Sequence, residues 1–297
     1  MMIKIHQDVR ELLNELNEID ESIIFGGYLR DMIFDNIPND VDIATKVPID
    51  ILVEKYGHLE KAKKRKTTSG QDVFSFKMHR TEKIFVEIVC TQDDLYDKAR
   101  KADYTLNSLL YDGKNLIDLQ GGLDDISNKL IREVDARIIT KDLETRPYLW
   151  LKTLRLISVT GFDLSDETFS VLNENKKCIY NISNEIMQTE GHKTLNGLNP
   201  FKAIELLHKM GFVASFDVKH FKEIKYSLQP QQQLCLLAVL SNKEIIDDFI
   251  NFYHLQQDLK EKYDKLYSMY HGEDKVPSRF RHQIITIKKI VKEMESN

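Results

Sequence analysis

The sequence predicts an α+β fold: a head with a small mixed sheet and flanking helices, then an all-helical neck and body. Three observations carry this. Short β-rich runs alternate with helical stretches up to about residue 140. Strand signals fade from Glu144 onward, where Leu, Ile and Lys recur at helical spacing. A length of 297 residues suits about two domains, read here as a head over 1–142 and a helical neck and body over 143–297.

The elements follow in order. Val9, Leu12, Leu13, Leu16 and Ile19 are spaced for one face of a helix from His6 to Ile19. Ser22 to Phe25 is a short apolar strand ending at Gly26-Gly27, and a short helix follows. Asn39 to Ala44 reads as the next strand. Val73 to Met78 and Ile84 to Cys90 are two further β-rich runs, joined by a hairpin carrying His79, Arg80, Thr81 and Glu82. Thr105 to Leu110 reads as helical, and Leu116 to Leu119 as a strand before Gly121-Gly122. In the body, Tyr148, Leu151, Leu154 and Arg155 start one helix. Pro200 to Met210 is another, with Gly211 placed to cap it. Pro230 to Leu240 is a buried helix with proline in its first turn.

Composition narrows the function classes. Hydrophobic residues make up 42% and charged residues 30%, ordinary values for a globular protein. No apolar run is long enough to span a bilayer, and Met1 to His6 leads quickly into polar residues, so a cytoplasmic protein with no membrane partner is expected. Cys90, Cys178 and Cys235 stand far apart, which argues against a disulfide framework or a zinc site. The histidines of the body, among them His192, His220 and His282, read as ordinary residues, and Trp150 as core. The net charge of −5 does not itself favour nucleic acid. Contact with RNA would have to come from local patches. One is Lys61, Lys63, Lys64, Arg65 and Lys66; a looser one runs from Lys275 to Lys292.

The chemistry lies between Phe25 and Thr45. Gly26 and Gly27 let the backbone approach a phosphate group, and the helix after them presents free N–H groups. Arg30 adds a charge-assisted contact to phosphate oxygens. Asp40 and Asp42 stand at i and i+2 on the next strand, so both carboxylates project from one face. Two hard oxygen donors side by side suit Mg²⁺, which takes one or two carboxylates and completes its shell with water and substrate phosphates. Glu87, on the strand Phe85 to Val89, is a candidate third acid.

These residues resemble the class II tRNA nucleotidyltransferases (CCA-adding enzymes) and the bacterial poly(A) polymerases. The first motif of that family, G-G-x-V-R-D followed by D-x-D-x-A-T, is similar to Gly26-Gly27-Tyr28-Leu29-Arg30-Asp31 and Asp40-Val41-Asp42-Ile43-Ala44-Thr45. Its second motif resembles Lys101-Ala102-Asp103-Tyr104-Thr105-Leu106-Asn107-Ser108. Asp118-Leu119, Gly121-Gly122 and Ile131-Arg132 are similar to the element that closes the family's head. The resemblance covers roughly residues 20–215 and implies a polymerase-β-type nucleotidyltransferase head. It implies Asp40 and Asp42 as catalytic, Mg²⁺-binding residues, with Glu87 as a further metal ligand. Gly26, Gly27, Arg30 and Asp31 would contact the nucleotide, and Asp103 and Asn107 its sugar. The partners implied are an NTP (ATP or CTP) and an RNA, most naturally the 3′ end of tRNA.

Two departures bear on specificity. The family selects its base with E-D-x-x-R at the start of the first body helix. The matching stretch here is Thr145-Arg146-Pro147-Tyr148-Leu149, which puts Arg146 at the Asp position and Leu149 at the Arg position. Leucine makes no polar contact with a base. Arg146, with Asp142 and Glu144, is the candidate substitute in a shifted register. Arg155, an anchor of the alignment, is a second basic candidate for nucleotide binding. Residues 88–102, fifteen positions, separate Glu87 from Asp103, a short segment for full CCA addition. The body is also short by the family's measure, so its RNA-gripping tail is expected to be reduced. The expectation is template-independent nucleotide addition to an RNA 3′ end, CCA or partial CCA. The alternatives are the same chemistry with other specificity (poly(A), CC only, another acceptor) or an inactive RNA- or nucleotide-binding homologue.

Overall fold

Apolar residues three and four apart make Gln7–Asn17 (α1) amphipathic, and its inner side buries Val9, Leu12, Leu13 and Leu16. The computed structural model describes residues 3–34, 38, 40–67, 70–78, 84–213 and 228–295. The hairpin tip expected at His79 to Glu82, the strand start at Asn39, and His220 lie outside the described residues. The chain divides into two units, 1–138 and 139–297.

The first unit holds a mixed sheet. Its strands are Ser22–Phe25 (β1), Asp40–Thr45 (β2), Lys63–Lys66 (β3), Asp72–Lys77 (β4), Phe85–Cys90 (β5), Leu110–Tyr111 (β6) and Leu116–Ile117 (β7). They lie in the order β3-β4-β5-β2-β1-β6-β7. Only β2 and β5 run parallel among the described pairs. β-branched and aromatic residues give four of the five inner strands, β1, β2, β4 and β5. Helices Gly27–Ile33 (α2), Ile49–Tyr56 (α3), Asp97–Arg100 (α4) and Gly122–Ser127 (α5) complete the unit.

Alternation along β2 sorts its side chains. Val41 and Ile43 join α1, α3 and Phe74, Phe76, Val86 and Ile88 in the main core. Ala44 lies on the other face in a smaller cluster with Ile23, Leu95, Ala99 and Leu110, packed by α4 and the turn before it. Asp40 and Asp42 share that second face.

Two elements differ from expectation. The stretch Thr105 to Leu110 is not one helix. A 3₁₀ turn covers Thr105–Asn107, then β6 begins at Leu110. The turn is held from outside: Thr105 N–H donates to the Arg132 carbonyl (2.9 Å), and the Thr105 hydroxyl donates to Asp125 (2.5 Å). These tertiary bonds replace the ones a helix would have made. The basic run Lys63–Lys66 is a strand, although it lacks apolar alternation. All four residues are exposed on the sheet's edge, where lysine is favoured because it blocks edge-to-edge pairing.

The second unit is helical apart from the two-residue strand Asp163–Leu164, where an all-helical body was expected: Ala136–Thr145 (α6, spanning the junction), Leu149–Thr160 (α7), Asp166–Glu174 (α8), Asn184–Leu195 (α9), Pro200–Lys209 (α10), Pro230–Leu240 (α11), Lys243–Phe252 (α12), Gln257–His271 (α13) and Ser278–Glu295 (α14). Gly211 follows α10 with φ +80°, the left-handed turn expected at that end. Trp150 is buried, donates to the Leu172 carbonyl (3.1 Å) and meets the Phe212 ring edge-on, so it is a core residue. No described helix is long and apolar enough to cross a membrane.

Candidate active site

The turn between β1 and α2 touches the acidic strand directly. Phe25 pairs with Asp42 across β1 and β2, so the chain leaves β1 beside that carboxylate. Gly26 then adopts φ +82°, a region that strains any residue with a Cβ. A Cβ built there would stand 3.5 Å from Asp42 Oδ2. The glycine therefore keeps open the space next to the carboxylate. Asp40 is exposed and Asp42 half-buried, while Val41 between them is sealed in the core. That contrast fixes the pair on the open side.

Glu87 pairs in register with Asp42 from the neighbouring parallel strand, on the same face. Its carboxylate is taken by the Arg65 guanidinium, which reaches across β4. Among the described residues no three His, Cys, Asp or Glu side chains gather as a ready-made metal cage. Asp40 and Asp42 offer hard oxygen donors on one face, with room beside them at Gly26. This donor set fits Mg²⁺, an ion that takes one or two carboxylates and fills its other positions with water and phosphate oxygens.

Arg30 joins the two motifs. Its Nε and Nη2 donate to Asp31 Oδ1 (2.8 and 2.7 Å), and its Nη1 donates to Asn107 Oδ1 (2.7 Å). Asn107 in turn donates to Asp103 Oδ1 (2.9 Å), which also accepts the Tyr104 N–H (2.8 Å). Asp31, Arg30, Asn107 and Asp103 thus form one hydrogen-bonded chain between segments more than 70 positions apart. The guanidinium folds back over Gly27, where an added Cβ would lie 3.2 Å from Arg30 Nη2.

The closing element braces this chain from behind. Asp118 accepts from the N–H groups of Gly122 and Leu123 (2.9 Å each) and so caps α5. Asp125 on α5 takes the Thr105 hydroxyl and the Arg132 guanidinium (2.8 Å). Gly122 lies so close to Thr105 that a Cβ would stand 2.3 Å from its carbonyl oxygen.

Lys98, on α4, is a residue that sequence reasoning missed. Its Nζ lies 5.2 Å from the centre of the Phe25 ring, and it feels the charges of Asp93 and Asp42. Burial holds the ammonium below the usual lysine value, against the pull of those two aspartates. The one available signal was a lysine five positions before Asp103.

Arg146 and Arg155 belong to the second unit. Arg146 pairs with Asp142 one turn back on α6. Arg155 pairs with the buried Glu190 of α9 (3.1 Å), which Lys193 also contacts (3.0 Å).

Comparison with known proteins follows this geometry. Residues 22–132 match the poly A polymerase head domain family. The chain is 24% identical over 251 residues to a CCA-adding enzyme of Staphylococcus aureus, an alignment covering 80% of this chain and 62% of that protein. It is 27% identical over 200 residues to a CC-adding tRNA nucleotidyltransferase of Shouchella clausii, covering 66% of this chain and 50% of that one. The chain thus spans about half to three-fifths of these relatives' length. Its fold is like that of the Bacillus stearothermophilus CCA-adding enzyme solved with CTP, with a TM-score of 0.67 at 19% identity, over 95% of this chain and 74% of that one.

Proposed function

We propose that this chain, whose residues 22–132 match the poly A polymerase head domain family, is a nucleotidyltransferase of the class II CCA-adding and poly(A) polymerase type that adds nucleotides without a template to the 3′ end of an RNA, with tRNA as the acceptor. The observation that carries this is the seam between glycine turn and acid pair, with Gly26 held open beside Asp42 Oδ2. An NTP laid on Gly26, Gly27 and Arg30 would bring its phosphates next to Asp40 and Asp42. Those two carboxylates would hold Mg²⁺, which when bound neutralises charge on the triphosphate and on the attacking oxygen.

The reaction is an in-line displacement. The RNA 3′-hydroxyl oxygen forms a bond to the α-phosphorus and gives up its proton to solvent water, the bond from the α-phosphorus to the bridging oxygen of the β-phosphate breaks, and pyrophosphate leaves with the electron pair. The chain's own residues act mainly by positioning. Asp103 and Asn107 orient the sugar and hold Arg30 in place through Asn107. Lys98 packs its amine over the Phe25 ring, at the end of β1 beside the Gly26 turn. The names of the relatives support this reading, since they include tRNA nucleotidyltransferase and CCA-adding enzyme. A cytoplasmic setting goes with it.

CC-only addition is the second reading. The short segment from Glu87 to Asp103 and the CC-adding relative favour it. One experiment separates the two and tests the whole proposal: incubate the protein with tRNA lacking its 3′ end and all four NTPs, then sequence the products. Addition of CCA or CC to the tRNA is expected. A long A tail would point to poly(A) synthesis, and no incorporation with any NTP would defeat the proposal.

A further inference from the structure

The basic edge strand is divided by its own alternation. Lys64 and Lys66 turn toward the face covered by α3 and are tied to Asp50 (2.7 Å) and Asp72 (3.4 Å). Lys63 and Arg65 project from the other face, the one carrying the acids. Register makes this specific. Lys63 pairs with Ser75, Ser75 with Glu87, and Glu87 with Asp42. These four residues form one straight row across four strands on one face. Three strand spacings put Lys63 about 14 Å from Asp42, before the reach of its side chain is counted.

The row has a gradient of charge. It begins at an exposed lysine, passes the small Ser75, and ends at the acid pair. Arg65 flanks it with its guanidinium half-exposed; Glu87 occupies only part of its five-donor fork. A strand placed on this row would find cations under its phosphates and the acid pair under its terminus. A protein of net charge −5 that binds a polyanion needs such a local track.

We infer that the acceptor RNA enters the site along this row, its 3′-hydroxyl at Asp40 and Asp42 and its next upstream phosphates on Lys63 and Arg65. The inference rests on the reading of the site as a nucleotidyltransferase for an RNA end. It assigns a role to a strand that otherwise serves only as a charged, pairing-resistant sheet edge.

Lys63→Ala is the informative variant, because Lys63 is exposed and makes no contact with the acids. Lys66→Ala, on the same strand but the opposite face, is its control. RNA binding is read by fluorescence anisotropy over a salt series, using tRNA lacking its 3′ end, and KM is measured for acceptor and for NTP. Lys63→Ala should weaken RNA binding severalfold and make the slope of log affinity against log salt shallower by about 0.7, the value for one single-strand phosphate contact. The NTP KM should stay unchanged, and Lys66→Ala should behave as wild type. Acceptors with one uncharged methylphosphonate near the 3′ end should erase the difference between wild type and Lys63→Ala at one position. An unmoved salt slope, an effect on NTP KM instead of acceptor binding, or an equal loss in both variants would each overturn the track. Wild type that binds RNA but incorporates nothing would defeat the transfer reading separately.

Discussion

One face of the head sheet is covered by α1 and α3 and buries Leu13, Ile43, Phe74 and Val86; the other is packed by α4 at one end and leaves Asp40 exposed and Asp42 half-exposed. The same six-residue strand, β2, serves both. Val41 and Ile43 complete the main core, and Asp40 and Asp42 present the acids. Stability and chemistry are thereby divided by a pleat rather than by distance, and substitutions one or two residues apart should fall into different classes.

The sharpest test of that division pairs Asp42→Ala with Leu13→Ala. Asp42→Ala should lower nucleotide incorporation by at least about 10³-fold, several kcal/mol of transition-state stabilisation, with the melting temperature unchanged. Leu13→Ala should cost about 2–5 kcal/mol of stability in denaturant unfolding, because Leu13 is fully buried, and leave the activity of the folded fraction intact. Loss of stability in the first variant, or of specific activity in the second, would break the comparison.

Gly122→Ala lies between the classes. Its added Cβ meets the backbone oxygen of Thr105 rather than a movable side chain. A destabilisation of about 1–3 kcal/mol is expected, together with a higher NTP KM, because Thr105 anchors the segment that holds Asn107. The smallest effect should come from Asn107→Ala, which removes the link between Arg30 and Asp103. A hydrogen bond to a charged group is worth about 1.5–3 kcal/mol, so NTP KM should rise roughly 10- to 150-fold, with little change in melting. A steady-state titration of each NTP reads it.

The sequence showed β1, β2 and β5 because Ile23, Ile24, Val86 and Ile88 stand in short β-branched, apolar runs, and Val41 and Ile43 are β-branched and alternate with Asp40, Asp42 and Ala44. It showed Pro230–Leu240 because proline and a wholly apolar run mark a buried helix. It could not show β3, since Lys63 to Lys66 take their strand conformation from pairing with β4 and not from their own pattern. The turn at Thr105 escaped for a similar reason: its bonds come from Asp125 and Arg132. In the site, the glycines and the acid pair were legible because they lie within seventeen residues of one another. The bond from Arg30 to Asn107, the row from Lys63 to Asp42 and the approach of Lys98 to Phe25 were not. Each joins segments far apart in sequence, which strand register and the packing of α2 and α4 bring together.

The central claim is that Asp40 and Asp42, beside the Gly26 turn, make one site for a divalent ion and a nucleotide triphosphate. Electron paramagnetic resonance of Mn²⁺, used in place of Mg²⁺, measures this directly in the presence of a non-hydrolysable CTP analogue. Wild type should take up Mn²⁺ with an affinity that tightens when the analogue is added, and Asp40→Asn/Asp42→Asn, equally folded by circular dichroism, should lose that uptake. Equal Mn²⁺ binding by both proteins would contradict the account.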